Sequence, residues 1–579
     1  MGAGDEPRPF RRTLCDYPRQ IVRAQTPYHS YRSLGGLTVE NASNDCDVLV
    51  VGAGPTGLMA ANLLKRAGVN VRLVEQRGEA TRESRAFAVQ ARTLELMDSI
   101  GLARNFLAQG VRADSVNIHV KGRFRGGLDF ARANAGDTPY PFILMIPQSR
   151  LEAILSDDCS ALGVSIERQT TVTAVEQDGQ GVTTHADGAD GPFRIRSAYV
   201  IGADGSRSIV RQATGLGWDG DMLPQRFLLA DCKVHWPLDH ESFRVFLNGS
   251  RIGLFLPLDG AKVSRVMATD VSGSFGDEDG SKPAPLDLAE MEEGLSKAIA
   301  LPVRLSDPVW VTRYRAHHRF TDCYRANRAF IAGDAAHIHS PAGGQGMNTG
   351  LQDAANLAWK LAAVLRAGAK DGLLDSYDQE RRPVGENVIK STGRLFAAAA
   401  GQTGAKAAVR DQIISTVLPL LTRVSPFQKR AFFNTSQRAI AYPLGAYVSG
   451  TASKLAPPGA RAPDAPVHAV GSVFALLRGY RFTILVFSRE KLNEADTASI
   501  TAAQTRLMAR GLAIGIIAGA QPDEDVVFQR YGVGQNPGQA VVLVRPDGYI
   551  AWRGESLSLD LCESHAAMIM PRRGISDAS

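Results

Sequence analysis

Three groups of residues have types and spacings suited to chemistry. "DVLVVGAGPTG" at 47–57 sets Gly52, Gly54 and Gly57 in a G-x-G-x-x-G pattern directly after four apolar residues. "YVIGADGSRSIVR" at 199–211 runs an apolar stretch into Gly202-Ala203-Asp204-Gly205. "AGDAAHIHSPAGGQGMNTGLQDAANLAWK" at 332–360 delivers Gly333-Asp334, then His337, His339, Pro341 and the bare positions Gly343, Gly344 and Gly346 before a long helical pattern. Turns poor in side chains, placed ahead of a helix, let backbone amides reach a phosphate, and the positive end of the helix dipole adds to the attraction. The chemistry such groups suit is the binding of a dinucleotide, with acids on its sugar hydroxyls.

The surrounding elements must place these residues. Val48–Val51 reads as a short buried strand, "LMAANLLKRAG" as a helix ending at Gly68, and "VNVRLVE" as a second strand ending at Glu75, about where a ribose-binding acid belongs. Gly52 permits the tight turn, Gly54 the approach to a pyrophosphate, and Gly57 the close packing of helix on strand. The strand–helix–strand context carries this reading; the motif itself does not separate FAD from NAD. Asp204 and Asp334 likewise follow apolar strands, where open α/β sheets hold ligands. The third helix pattern starts near Met347 and runs through Leu351, Ala354, Leu357, Leu361 and Val364.

Taken in order, GAGPTG, the Asp-Gly segment and Gly-Asp-Ala-Ala-His resemble the fingerprints of the class A FAD-dependent aromatic monooxygenases, which share the para-hydroxybenzoate hydroxylase fold. The phenol hydroxylase and chlorophenol monooxygenase branch is the nearest in pattern. "SRAFAVQARTLELM", "PQSRLEAIL" (147–155) and "YDQERRP" (377–383) support the resemblance, which spans roughly residues 45–400. It implies an α/β FAD-binding Rossmann-like domain with an inserted antiparallel β-sheet substrate domain, followed by a C-terminal thioredoxin-like α/β domain.

Carried over residue by residue, the resemblance assigns FAD contacts to Gly52, Gly54, Pro55, Thr56, Gly57, Glu75, Gln76, Arg85, Gln148, Asp204, Gly333, Asp334, Gly344, Gly346, Met347 and Asn348. Asp334 would accept a hydrogen bond from a ribityl hydroxyl, and Pro341 to Asn348 would lie along the isoalloxazine ring. Bareness at Gly343, Gly344 and Gly346 would let the main chain reach that flat ring. Asp204 would serve both FAD and a passing nicotinamide nucleotide. The catalytic residues implied are Pro341, whose backbone carbonyl would lie near the substrate hydroxyl, and Arg85, near the pyrophosphate and the mobile path of the flavin. His337 and His339 read as local hydrogen-bonders, with no third residue spaced for a metal. The activity implied is hydroxylation of a phenolic or other aromatic compound through a C4a-hydroperoxyflavin, with O2 and NADPH or NADH as co-substrates. A tailoring hydroxylase or epoxidase of a polycyclic, polyketide-like substrate is the alternative. A non-catalytic flavin-binding protein is a third reading, against which the intact glycine loop speaks.

The sequence "ESFRVFLNGSRIGLFLPLDGAKVSRVMATD" predicts three strands joined at Asn248-Gly249 and Asp259-Gly260, both two-residue hairpin signals. This places a substrate-binding sheet at 221–317, inserted between FAD-binding segments 45–220 and 318–400. Alternation puts Phe243, Val245 and Leu247 on one face and Arg244 and Phe246 on the other, with Leu254 and Leu256 opposed to Phe255. Period alone does not say which face meets a ligand. Candidate substrate residues are His235, Phe246, Phe255 and Tyr314; His235, His317 and Tyr314 are the candidate bases.

Residues 401–452 read as a helical connection and 453–579 as the thioredoxin-like domain without CxxC, for which a structural role or support of a homodimer is expected. The 579 residues exceed what one core holds. A net charge of +6, scattered rather than clustered, argues against a nucleic-acid surface, and no apolar run reaches the length of a membrane span. The partner expected is a small aromatic molecule. Residues 1–44 form a polar, Arg-rich extension; Arg11-Arg12 lacks a following apolar segment, and Gly2 lacks Ser or Thr at position six. Six cysteines without CxxC or metal spacing predict free thiols in a reducing cytoplasm.

Overall fold

The apolar run at 46–51 folds as expected into a strand, Cys46–Val51, that lies inside an eight-stranded sheet. It runs parallel to Val71–Val74 on one side and to Gly191–Gly202 on the other. Ala329–Ile331 extends the parallel array beyond Gly191–Gly202, and Ile166–Glu167 extends it beyond Val71–Val74. Such strands are covered on both faces, which is why they read as unbroken apolar runs. The helix Pro55–Arg66 packs along the long helix Gly346–Ala367. The structure, a computed structural model, describes residues 44–80, 86–270, 286–339, 343–400, 404–508, 510–519, 525–536 and 538–571.

A second eight-stranded sheet follows the order His337–Ile338, Arg304–Phe320, Asp219–His235, Val263–Asp270, Arg251–Asp259, Phe243–Asn248, Ser115–Val120, Arg123–Asp129. Both expected hairpins form, with Gly249 and Gly260 at φ of 59° and 54°. Two features depart from the expectation. The sheet is mixed rather than antiparallel throughout, because Phe243–Asn248 lies parallel to Ser115–Val120. It also reaches beyond 221–317, recruiting strands at 115–129 and 337–338 that pair its two ends and extend both edges.

The two faces of this sheet have different neighbours. Leu228, Ala230, Phe246, Phe255 and Val266 pack against the amphipathic helix Leu288–Ile299. Phe227, Leu229, Leu247, Leu254, Leu256 and Met267 point the other way and join the core built around the parallel sheet. Both faces thus meet a core, one under that helix and the other toward the parallel sheet.

The C-terminal sheet has five strands in the order Ser449–Gly450, Ile550–Glu555, Gln539–Val544, Thr483–Ser488, Ala513–Ala518. Thr483–Ser488 and Ala513–Ala518 are parallel, joined through the helix Glu494–Met508, and the other long strands pair antiparallel. Cys562 lies buried in the helix Leu559–Ile569, and burial pushes its thiol up to about 12, far from thiolate chemistry at neutral pH. Cys46, Cys159, Cys232 and Cys562 are free. Cys323 is disulfide-bonded, so the expectation of free thiols throughout fails there.

Buried charges fasten this C-terminal unit to the rest. Arg545 places both guanidinium nitrogens on Glu380 at 2.8 and 2.9 Å, and Lys360 Nζ reaches the same carboxylate at 2.8 Å. Arg461 grips Glu95 in the same forked manner at 2.7 and 2.8 Å. Burial alone would raise the Glu380 carboxyl; Arg545 and Lys360 outweigh it and hold it down at about 2, against an ordinary 4.5. A carboxyl depressed on folding stabilises fully above its unfolded value and loses that contribution as pH falls toward the folded one. Melting temperature is therefore expected to hold from pH 7 to about 5 and to fall steeply below, with on the order of 3 kcal/mol from Glu380 alone. Glu380→Gln should flatten that acid limb in thermal melts.

Candidate functional site

The glycines of the first turn serve different purposes. Gly52 takes φ +100°, and a Cβ there would lie 2.5 Å from the Ala203 carbonyl oxygen. A Cβ at Gly57 would sit 1.8 Å from the Gly52 oxygen, so helix and strand touch backbone to backbone. A Cβ at Gly54 would meet no atom of the described residues within 4 Å. That opening lies at the N-cap of the helix Pro55–Arg66, which has no side-chain cap, so its first amides face open space. Glu75 accepts the Ala53 N–H at 2.8 Å and the Arg77 N–H at 3.0 Å, bracing the turn from the end of the second strand. Gln76 is exposed beside it. Thr56 faces into the protein, wedged where a Cβ on Gly333 or on Gly350 would come within 2.4 Å of its hydroxyl.

Asp204 and Asp334 stand at the ends of neighbouring parallel strands. Asp204 Oδ2 accepts the Ile209 N–H at 2.7 Å and the Val210 N–H at 3.3 Å. Its Oδ1 is buried with no partner among the described residues, and burial raises the carboxyl. An unmatched buried acceptor suits a ligand hydroxyl. Asp334 is exposed on a 3-10 turn whose flanking residues are buried. Behind that turn stands a carboxylate the sequence reading missed. Asp353 is fully buried and accepts from the Gly333 N–H at 3.2 Å, from His337 Nε2 at 2.7 Å and from Arg381 Nε at 2.7 Å. Burial would raise Asp353, but Arg381 and His337 outweigh it and lower the carboxyl. His337 is thus a local hydrogen-bonder, as its sequence context suggested.

The glycine-rich loop is tied down by amides. Asn348 accepts the Gln90 N–H at 2.9 Å and donates to the Ala88 and Gly344 carbonyls, both at 2.8 Å. Both its amide hydrogens serve the protein backbone. A Cβ at Gly344, where φ is +60°, would lie 2.9 Å from the Ala88 Cβ, and one at Gly346 would lie 3.1 Å from His339 Nε2. Bareness at these two positions therefore serves close packing within the protein, a correction to the view that it serves only the ring. Met347 is half-buried against the core. Gln148 accepts the Ala86 N–H at 3.3 Å and donates to Glu152 at 2.8 Å. Arg85 and Pro341 lie outside the described residues.

The sheet face turned toward this loop carries a half-open apolar patch. Phe243, Val245, Trp310 and Tyr314 are half-buried on it. Tyr314 stacks on Phe227 at 5.3 Å, and its hydroxyl lies 3.3 Å from Met267 Sδ. Phe246 and Phe255 do not belong to this floor. They are buried on the opposite face, where Phe246 stacks on His119 at 4.7 Å and Phe255 lies tilted against Trp236 at 4.2 Å. The helix Leu288–Ile299 needs those rings as its apolar cover, and side-chain period 2 then dictates which residues face the loop. His235 is exposed, bonded to Ser306 at 2.9 Å, and lies eight residues along the strand from the Tyr314 pairing, roughly 26 Å away. Trp310 and Val245 were legible as alternation in "VWVTRYR" and "FRVFLN", but nothing in the alternation marked their face.

An uncapped glycine turn beside an acid whose buried Oδ1 has no partner among the described residues fits FAD, and the chain belongs to the flavoprotein aromatic-ring monooxygenases. Residues 45–392 match the family described as FAD binding domain, and residues 456–569 match the family described as aromatic-ring hydroxylase, C-terminal. The 6-methylpretetramide 4-monooxygenase of Streptomyces rimosus is 34% identical over 527 residues, 88% of this chain and 90% of that protein. The pentachlorophenol 4-monooxygenase of Sphingobium chlorophenolicum is 31% identical over 532 residues, 89% of this chain and 95% of that protein. Among solved structures, the anhydrotetracycline hydroxylase from Streptomyces rimosus superposes with a TM-score of 0.72 at 28% identity, covering 91% of this chain and 100% of its own. The protein is a FAD-dependent aromatic monooxygenase.

Proposed function

We propose that the protein hydroxylates a flat, fused-ring phenol lying on the floor formed by Phe243, Val245, Trp310 and Tyr314, with NADPH or NADH as electron donor and O2 as oxidant. The observation that carries this is the breadth of the floor: these side chains span five adjacent strands, about 19 Å across. Relatives named for anhydrotetracycline agree with such breadth, and the pentachlorophenol relative favours a single-ring phenol as the second reading.

The open space at Gly54, the free oxygen of Asp204 and the Asp334 turn are the places where this chain would hold FAD. When bound, FAD accepts hydride from the nicotinamide and activates oxygen; the protein supplies position and shelter. The apolar floor excludes water from the reacting ring. The Tyr314 hydroxyl, which donates to Met267 Sδ, would turn to hydrogen-bond the substrate hydroxyl, whose ordinary pKa of about 10 must be met by such a partner for the ring to gain electron density. We read residues 453–579 as a thioredoxin-like unit without redox function, which braces the long helix through Glu380 and Lys360.

Val245→Lys tests the floor. The variant is expected to purify with its full FAD content but to lose at least about tenfold in the aromatic-stimulated oxidation of NAD(P)H, measured with one-ring and fused-ring phenols. Stimulation as strong as in the parent would overturn the placement of the substrate.

A further inference from the structure

One buried ion pair of the substrate sheet has no place in the assignments above. Asp231 and Arg265 stand opposite each other on adjacent antiparallel strands, on the face turned toward the glycine loop. Arg265 is fully buried, with Nε on Asp231 Oδ1 and Nη2 on Asp231 Oδ2, each at 2.7 Å. Desolvating such a pair is costly, and an apolar pair of equal volume packs as well or better, so packing alone does not account for it.

What the pair adds is reach. Arg265 Nη1 donates to the Ala86 carbonyl at 3.1 Å, while the Ala86 N–H donates to Gln148 Oε1 at 3.3 Å. Residue 86 is thereby held from the substrate sheet on its carbonyl side and from the helix Gln148–Ala161 on its amide side. The same guanidinium lies 5.6 Å from the Phe87 ring centre and 5.1 Å from that of Trp310. Phe87 backs the glycine loop, since a Cβ at Gly344 would come 3.7 Å from its ring. Trp310 is half-open on the floor.

We propose that Arg265, aimed by Asp231, is a positioning residue for the flavin: it locks Ala86 and Phe87 as the wall behind the glycine loop, and through Trp310 it ties that wall to the substrate floor. The proposal rests on the FAD-dependent reading above. It assigns to the Asp231–Arg265 pair of the substrate sheet a part in holding the cofactor.

The test uses the full chain stripped of flavin and titrated with FAD, read by quenching of flavin fluorescence, with amide hydrogen exchange across residues 86–90. The Asp231→Leu/Arg265→Met double variant removes both charges and is expected to melt within about 4 °C of the parent. It should nevertheless bind FAD about tenfold more weakly and lose exchange protection at 86–90. Arg265→Lys keeps the charge for Asp231 but lacks the fork that also reaches Ala86, and the same weakening is expected. A folded variant of either kind that binds FAD within about twofold of the parent, with exchange unchanged, would overturn the proposal. If the double variant does not fold, Arg265→Lys decides. A parent chain that takes up no FAD would instead overturn the functional reading.

Discussion

Asp353→Ala is expected to cost the protein its fold or its flavin. The carboxylate carries the Gly333 N–H, His337 and the fully buried Arg381 at once. Removing it strands the guanidinium in the interior, a change worth about 3–5 kcal/mol. Against a total stability of roughly 5–15 kcal/mol, that is a large fraction. The Gly333–Asp334 turn loses its anchor in the same step, so FAD content should fall even in the fraction that stays folded. Thermal melts and the flavin-to-protein absorbance ratio check both effects. Asp353→Asn, which keeps an acceptor but not the charge, is expected to fall between. A variant with parental melting temperature and full flavin content would show that the turn is held by something else.

Gly57→Ala should be strongly damaging, since its added methyl meets the shortest contact among the described glycines. Its Cβ would be 1.8 Å from the Gly52 oxygen, with the Ala203 Cβ at 3.3 Å on another side, so the helix must retreat from the strand. Overpacking against backbone costs more than the roughly 1–3 kcal/mol typical of side-chain cores. Gly54→Ala provides the contrast. Its Cβ meets no atom of the described residues within 4 Å, so the variant should fold with an unchanged melting temperature. The methyl would occupy the space before the helix N-terminus, however, and FAD affinity should drop about tenfold or more. Two glycines three residues apart are thus expected to separate folding from cofactor binding, readable by pairing melts with FAD titration.

Much of this organisation was legible in the chain because the signals were local. The strand, turn and helix around Gly52–Gly57 sit within some thirty residues, and each requirement falls on a residue type that meets it. The hairpin turns at Gly249 and Gly260 were legible for the same reason. What escaped depends on contacts between distant residues. The parallel pairing of Ser115–Val120 with Phe243–Asn248 joins segments over a hundred residues apart, and an alternating stretch does not announce its partner. That Phe246 and Phe255 pack under a helix was not legible, because alternation defines two faces without ranking them, and the helix that claims one face lies further along. Asp353 was hidden inside an apolar helical stripe, where a buried acid has no local mark; only its meeting with Arg381, in the "YDQERRP" stretch, gives it meaning. Gly344 was noticed for the right property and given an incomplete reason, because Ala88, its contact, is some 250 residues away.

The most direct measurement is the fate of molecular oxygen. Purified protein, FAD and NAD(P)H would be supplied with fused-ring phenols under 18O2, and the organic products weighed by mass spectrometry. The structure predicts that a fused-ring phenol gains one atom of 18O with roughly one NAD(P)H consumed per product formed, and that Val245→Lys forms little of it. If every phenol emerges unlabelled while NAD(P)H is oxidised at the same rate with or without it, the floor does not bind the substrate of this enzyme.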